Sequence, residues 1–289
     1  MAYDITLTQA ALLGVVEGLT EYLPVSSTGH LIIVSALLGI PASDGAKAFE
    51  VVIQAGAVAA VAAIYLPSLR AMLAGLLGRD GGGRALLGQL VTAFLPAAVV
   101  GVVANDFIKA KLFSPGPVVA ALAVGGALMI AVERVRSRRA GGAAAARQAG
   151  LPMEAMTLRA ALLIGVAQCL AMWPGTSRSM VTIVAALLLG YSPRAAAEFS
   201  FLLALPTLGA ATCHDLLGEG GAILEAAGPA GLALGFLTSL VVAWAAVKGF
   251  VAYLTRHGLS PFGWYRVALA VLLLGLTLAG IIQWEELMQ

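Results

Sequence analysis

The feature that most constrains this chain is the way its apolar residues are grouped. Six apolar stretches, near 46–66, 85–104, 117–133, 196–214, 230–252 and 264–283, are long enough to cross a bilayer, and four more, near 8–22, 26–39, 158–172 and 176–190, are not. A spanning helix needs about 20 apolar residues for a ~30 Å hydrocarbon core, whereas about 13 to 15 residues at ~1.5 Å each reach only ~20 Å. The short stretches form two pairs, split by Leu23-Pro24-Val25 and by Trp173-Pro174-Gly175. Proline disfavours helix in the residue before it, so each pair is expected to fold into a hairpin that enters and leaves by one membrane face. One kinked full span per pair is the competing arrangement.

The composition agrees. Of 289 residues 60% are hydrophobic and 11% charged, which excludes a soluble globular enzyme. A formal net charge of +2 is too small to suggest a nucleic-acid partner. Cys169 and Cys213 lie in apolar segments and imply no disulfide framework. Residues 1–24 carry Asp4, Glu17 and Glu21 but no Lys or Arg, so they lack the basic start of a signal peptide and the N-terminus is expected to be mature.

The two hairpins resemble each other. A shift of 150 places Leu12-Leu13 on Leu162-Leu163, Pro24 on Pro174, Ser27 on Ser177 and Phe49 on Phe199. Thirteen of the 39 positions from Ala11 to Phe49 match, and Ala and Leu bias does not account for proline and serine in register. Each half then reads as one hairpin plus three spans, an odd number of crossings that turns the second half upside down. The expected fold is an all-α polytopic membrane protein: a single membrane domain over 1–289 with an inverted-topology repeat, six transmembrane helices and two re-entrant hairpins. Repeat 1 covers about 1–135, a cytoplasmic linker about 136–157, and repeat 2 about 158–289.

Charge placement gives an orientation. Loops 67–84, 134–157 and 253–263, with the approaches to the second hairpin, hold 13 of the 17 basic residues, from Arg70 to Arg266. The opposite side has Lys47, Lys109 and Lys111. By the positive-inside rule the Arg-rich side is cytoplasmic, so both termini and the first hairpin are expected outside. The Arg134–Arg147 loop is expected to be a solvated linker. Gly101, Gly125-Gly126 and Gly235 would permit close helix packing, with no choice among them.

One basic residue remains, Arg178 in the second hairpin, and Glu17, Glu21 and His30 lie in the first. Ionisable groups at membrane depth are costly and mark functional sites. Glu17 and Glu21, four residues apart, stack two carboxylates on one helix face, and their hard oxygens suit Mg²⁺ or Ca²⁺. In Ser26-Ser27-Thr28-Gly29-His30, Ser26 is expected to cap a helix whose N-terminus forms an anion site. Ser27 and His30, one turn apart, could form a base-activated nucleophile. The second turn, Thr176-Ser177-Arg178-Ser179, repeats the design with a guanidinium able to bind phosphate. Together these parts point to phosphoryl chemistry within a bilayer. The less specific readings are solvated glutamates, a structural histidine and a structural Arg178–glutamate pair.

The runs Glu17-Gly18-Leu19-Thr20-Glu21-Tyr22-Leu23-Pro24-Val25-Ser26-Ser27-Thr28-Gly29-His30 and Trp173-Pro174-Gly175-Thr176-Ser177-Arg178-Ser179 closely resemble the bacterial undecaprenyl-pyrophosphate phosphatase family, the bacitracin-resistance proteins. The likeness extends through Phe49–Gln54 and Ala197–Leu203 to most of the chain, with Tyr22 and Thr176 where relatives are expected to carry Phe. The resemblance implies a cytoplasmic-membrane enzyme that hydrolyses undecaprenyl pyrophosphate to the monophosphate carrier lipid of peptidoglycan synthesis. It also implies a divalent metal, a homodimer and an active site opening to the outer face. Catalytic roles fall on Glu17, Glu21, Ser27, His30 and Arg178, with Glu17 and Glu21 also the metal ligands. Ser26, Thr28, Thr176, Ser177 and Ser179 are expected to bind substrate. The rival from another class is a transporter or flippase of a prenyl phosphate lipid, built on the same inverted-repeat site.

Overall fold

The computed structural model describes residues 5–41, 43–112 and 115–279, with side chains described except at 44, 104–112, 115, 214 and 216–226. The expected positions of both termini and of the Lys109 and Lys111 side chains lie outside the described residues. Among those residues the chain is mostly helical and forms no strand, because hydrocarbon offers no partners for backbone N–H and C=O groups. Six helical segments are long and apolar enough to cross a membrane: Gly45–Ile64, Gly81–Val103, Gly116–Arg139, Pro193–Cys213, Ala227–His257 and Ser260–Leu278. They fall on the six stretches read from the sequence.

The elements run α1 (Leu7–Thr20), α2 (Ser27–Leu37), α3 (Asp44–Ile64), α4 (Leu66–Leu76), α5 (Gly81–Leu112), α6 (Pro115–Arg139), α7 (Ala143–Gln148), α8 (Leu158–Gln168), α9 (Arg178–Leu188), α10 (Pro193–His257) and α11 (Ser260–Leu278). Of the five shorter apolar helices, α1, α2, α8 and α9 are the four short apolar stretches read from the sequence, and α4 is a fifth. Hydroxyl side chains start those four: Thr6 forms a reciprocal cap with Gln9 at α1, and Ser26, Thr157 and Ser177 cap α2, α8 and α9. α1 packs on α2, and α8 on α9.

The second span of α10 is gripped from two sides, by α1 and by α3. A Cβ on Gly14 would lie 2.6 Å from the Gly235 oxygen and one on Gly18 2.5 Å from the Ser239 oxygen, while Gly56 meets the Phe236 carbonyl. Only glycine lets backbones approach this closely. The Ser239 hydroxyl adds a 2.6 Å bond to the Ile53 carbonyl of α3. Gly125 and Gly126 likewise admit α11 at Arg266 and Gly263. Gly125, Gly126 and Gly235 therefore serve packing within the chain. Large apolar side chains such as Val99, Val102, Val124, Val241 and Val271 point outward from the spans, as a lipid-facing surface requires.

Two expectations change. The segment 67–84 is not simply a loop, because α4 fills most of it. The Arg134–Arg147 segment is largely exposed, as expected of a solvated linker, but Arg136 is tied down: α6 continues to Arg139, and Arg136 donates to the carbonyls of Leu187, Tyr191, Ala146 and Ala149. The end of α9 and the linker thus share one guanidinium.

Candidate active site

The turns that follow α1 and α8 meet. The Ser179 hydroxyl at the start of α9 donates to the Leu23 carbonyl of the first turn at 2.9 Å. Each turn delivers its helix through a serine with positive φ, Ser26 at 75° and Ser177 at 70°, the two such non-glycine residues among those described. That backbone region costs an ordinary residue about 1–3 kcal/mol, so the surroundings must enforce it. Each serine also caps its helix, accepting from Gly29 N–H at 3.4 Å and Met180 N–H at 3.3 Å. The equivalent serines are therefore Ser26 and Ser177, not Ser27 and Ser177 as the ungapped shift of 150 placed them. The second turn has one more residue between its proline and its cap.

Glu21, the C-cap residue of α1, joins the two turns. Its Oε2 accepts from the Ser27 hydroxyl at 2.6 Å, and its Oε1 pairs with Arg178 Nη2 at 3.2 Å. Arg178 Nη1 donates to the Ser200 carbonyl at 3.0 Å, and the guanidinium lies 5.7 Å from the centre of the Tyr22 ring. Its Nε is buried without a partner. The Tyr22 hydroxyl, absent from the phenylalanine expected in relatives, donates to the Ala57 carbonyl. Thr182 and Ser200, bonded to each other, brace the α9 backbone from behind Arg178.

These groups open on a cavity of about 160 Å³ lined by Glu21, Ser26, Ser27, Thr28, Ser177 and Arg178, with Gln54, Leu208 and the Trp173–Gly175 turn completing the wall. Glu17 is buried one helical turn away, with Glu21, Glu50 and Arg178 as its charged neighbours. Ser179 is fully buried and Thr176 half-buried.

His30 is placed differently from the sequence expectation of a Ser27–His30 pair. Its Nδ1 lies 2.7 Å from the Ser26 carbonyl and its Nε2 2.6 Å from the Tyr265 hydroxyl. A carbonyl can only accept, so Nδ1 carries the proton, and in the neutral ring Nε2 accepts from Tyr265. The group on Ser27 is Glu21. A three-residue helical spacing permits a shared face but does not choose between two acceptors.

The sequence reading missed two contributors and misassigned a third. Gln54 lines the cavity and holds Thr212 through its Oε1. Glu50, beside Glu17, stands in the run that carries the resemblance but was given no role. Arg266 was counted among the basic residues of the cytoplasmic side, yet it is 0% exposed, and carbonyls from α6 and from both turns satisfy its guanidinium. Its position beside a predicted loop concealed this; the neighbouring Gly125-Gly126 pair was the available signal.

Glu17 and Glu21 are donors of the kind a hard divalent cation takes, though both Glu21 oxygens are engaged here, one by Ser27 and one by Arg178. Glu17 and Glu21 supply carboxylate oxygens, and Mg²⁺ characteristically takes one or two carboxylates plus substrate phosphates and water. Among the described residues no group of three or more His, Cys, Asp or Glu side chains could hold an ion by itself, so substrate oxygens would have to complete the shell.

Fold and site together define a polytopic helical membrane protein whose polar centre is built from two short-helix turns. The chain belongs to the family described as Bacitracin resistance protein BacA, which matches residues 10–272. It is 53% identical over 269 residues to the undecaprenyl-diphosphatase of Sorangium cellulosum, covering 92% of this chain and 85% of that one. It is 42% identical over 285 residues to undecaprenyl-diphosphatase 2 of Rhodospirillum rubrum, covering 97% and 98%. The undecaprenyl-diphosphatase of Methylococcus capsulatus is 44% identical over 278 residues, covering 95% and 96%.

Proposed function

We propose that this chain is an integral membrane phosphatase that hydrolyses undecaprenyl pyrophosphate to undecaprenyl phosphate and inorganic phosphate, recycling the carrier lipid for peptidoglycan synthesis. The observation that carries the reading is Glu21, which holds the Ser27 hydroxyl with one oxygen and the Arg178 guanidinium with the other at the wall of one cavity. The names of the relatives supply the substrate.

In this mechanism the terminal phosphate sits between the N-termini of α2 and α9. Arg178 and the free N–H groups of those helices balance its charge, an arrangement that stabilises charge developing in the transition state. Ser27 Oγ attacks the terminal phosphorus and passes its proton to Glu21, while the bond to the bridging oxygen breaks and undecaprenyl phosphate leaves. Water then attacks the phosphoserine, releasing inorganic phosphate and restoring the hydroxyl. His30, bonded to the Ser26 carbonyl, holds the residue that precedes the nucleophile. Glu17, with Glu21 until it takes up the serine proton, would hold Mg²⁺ or Ca²⁺, which would supply charge neutralisation to the pyrophosphate.

The same reading takes the chain as an inverted repeat with two re-entrant hairpins in the cytoplasmic membrane, working as a homodimer. Its termini and active-site mouth face outward. The paired short helices and matching strained serines support the repeat, and the arginines of the linker support the orientation.

Inorganic phosphate release from a prenyl pyrophosphate, measured on purified protein in detergent with and without chelator, tests the function. Release that stops with chelator and returns with Mg²⁺ or Ca²⁺ is expected. Specific lipid binding with no release would overturn the phosphatase and favour a lipid transporter.

A further inference from the structure

Arg266 of α11 is fully buried, and its guanidinium donates to four backbone carbonyls. Nη1 reaches Pro24 O at 3.3 Å, Nη2 reaches Gly175 O at 2.8 Å and Ala121 O at 3.0 Å, and Nε reaches Leu122 O at 3.4 Å. Pro24 and Gly175 belong to the two turns, two residues before each capping serine. One side chain therefore spans both halves of the cavity and a third helix.

We propose that Arg266 is a positioning residue: it fixes the two turns relative to each other and so sets the distance between Ser27 on one and Arg178 on the other. Three observations support this. The fork is matched to its acceptors, since a planar guanidinium with five donors can bond divergent carbonyls that a lysine cannot reach together. Space is reserved for it, because a Cβ on Gly125 would sit 2.6 Å from Nη2. The turns also need external support, because each carries a serine in a strained backbone conformation. Arg266 has an electrostatic effect as well. It draws two carbonyl oxygens towards itself and places a second positive charge behind the turns, where a phosphate between them is favoured.

The proposal rests on the phosphatase reading for its effect on turnover, but not for its effect on the turns. Arg266→Lys keeps the charge and loses the fork, and Gly125→Ala keeps the arginine and displaces it. Both variants are purified in detergent and compared with the unaltered protein for folded fraction, for phosphate release, and for amide hydrogen exchange over 24–30 and 175–181. The expected result is faster exchange confined to the two turns and about 100-fold lower kcat per folded molecule, as misplacement of reacting groups by about 1 Å produces, with a smaller change in KM. Turn exchange equal to that of the unaltered protein in both variants overturns the proposal. So does a loss of release that only tracks the folded fraction. If the unaltered protein releases no phosphate, the phosphatase reading fails, and the exchange comparison still decides the clamp.

Discussion

Glu21 and Arg178 lie 157 residues apart in the chain and form a buried ion pair, Oε1 to Nη2 at 3.2 Å, with 7% and 8% of their side chains exposed. Arg178→Ala leaves the Glu21 charge without its partner, and breaking a buried pair costs about 3–5 kcal/mol. Arg178→Lys keeps the charge but cannot serve Glu21 and the Ser200 carbonyl with one rigid fork. The alanine variant is expected to melt at lower temperature. The lysine variant should fold but lose phosphate release by about 100-fold, a misplacement effect. Near-normal turnover in the lysine protein would show that the fork is dispensable.

The 2.6 Å bond from Ser27 to Glu21 makes the pair a unit. Ser27→Ala and Glu21→Gln should each abolish release, and the double variant should be no worse than either single one, because residues that act together are non-additive. Additive losses would mean that the two groups serve separate steps. Mass spectrometry of acid-quenched reactions should find one added phosphate on the tryptic peptide that contains Ser27. Sustained turnover by Ser27→Ala would rule out the covalent route.

Ser26 and Ser177 separate strain from capping. Glycine accepts positive φ without strain and costs a helix cap only a few tenths of a kcal/mol, so Ser26→Gly should leave stability unchanged or raise it by up to about 1 kcal/mol. Ser26→Ala keeps the strain and loses the cap, and should destabilise by about 1–2 kcal/mol. Thermal unfolding in one detergent compares them. Equal melting temperatures for the two variants would contradict the strain assigned to this position.

Gly18→Ala places a methyl against the Ser239 carbonyl and Ala243. Overpacking of this kind costs about 1–3 kcal/mol. Chemical unfolding should register the loss, whereas Gly249→Ala, with open space at its Cβ, should be silent.

Much of this was legible in the sequence, because bilayer thickness converts the length of an apolar run into a spanning or non-spanning helix. The six spans, four of the five short helices and the meeting of Glu21, Ser27 and Arg178 at one cavity all follow from that sorting. What was not legible depends on side-chain direction. Arg266 looks in sequence like any arginine near a loop, and Ser27 is placed to reach either His30 or Glu21. The offset of 150 was wrong by one at the caps because the extra residue in the second turn is invisible to an ungapped comparison. Arg136 read as a solvated charge because four carbonyl partners brought together by folding leave no local pattern.

The glycine contact between α1 and α10 has a consequence for chemistry as well as for packing. Gly18 sits between Glu17 and Glu21 in sequence, so one of the two closest approaches of α1 to α10, the other being at Gly14, falls between the two carboxylates. Neither glutamate can slide or rotate about the axis of α1 without driving backbone into backbone at Ser239. α10 is in this sense the reference surface against which the acidic pair is aligned, and the precision of the polar centre is inherited from a contact between two helices that carries no charge.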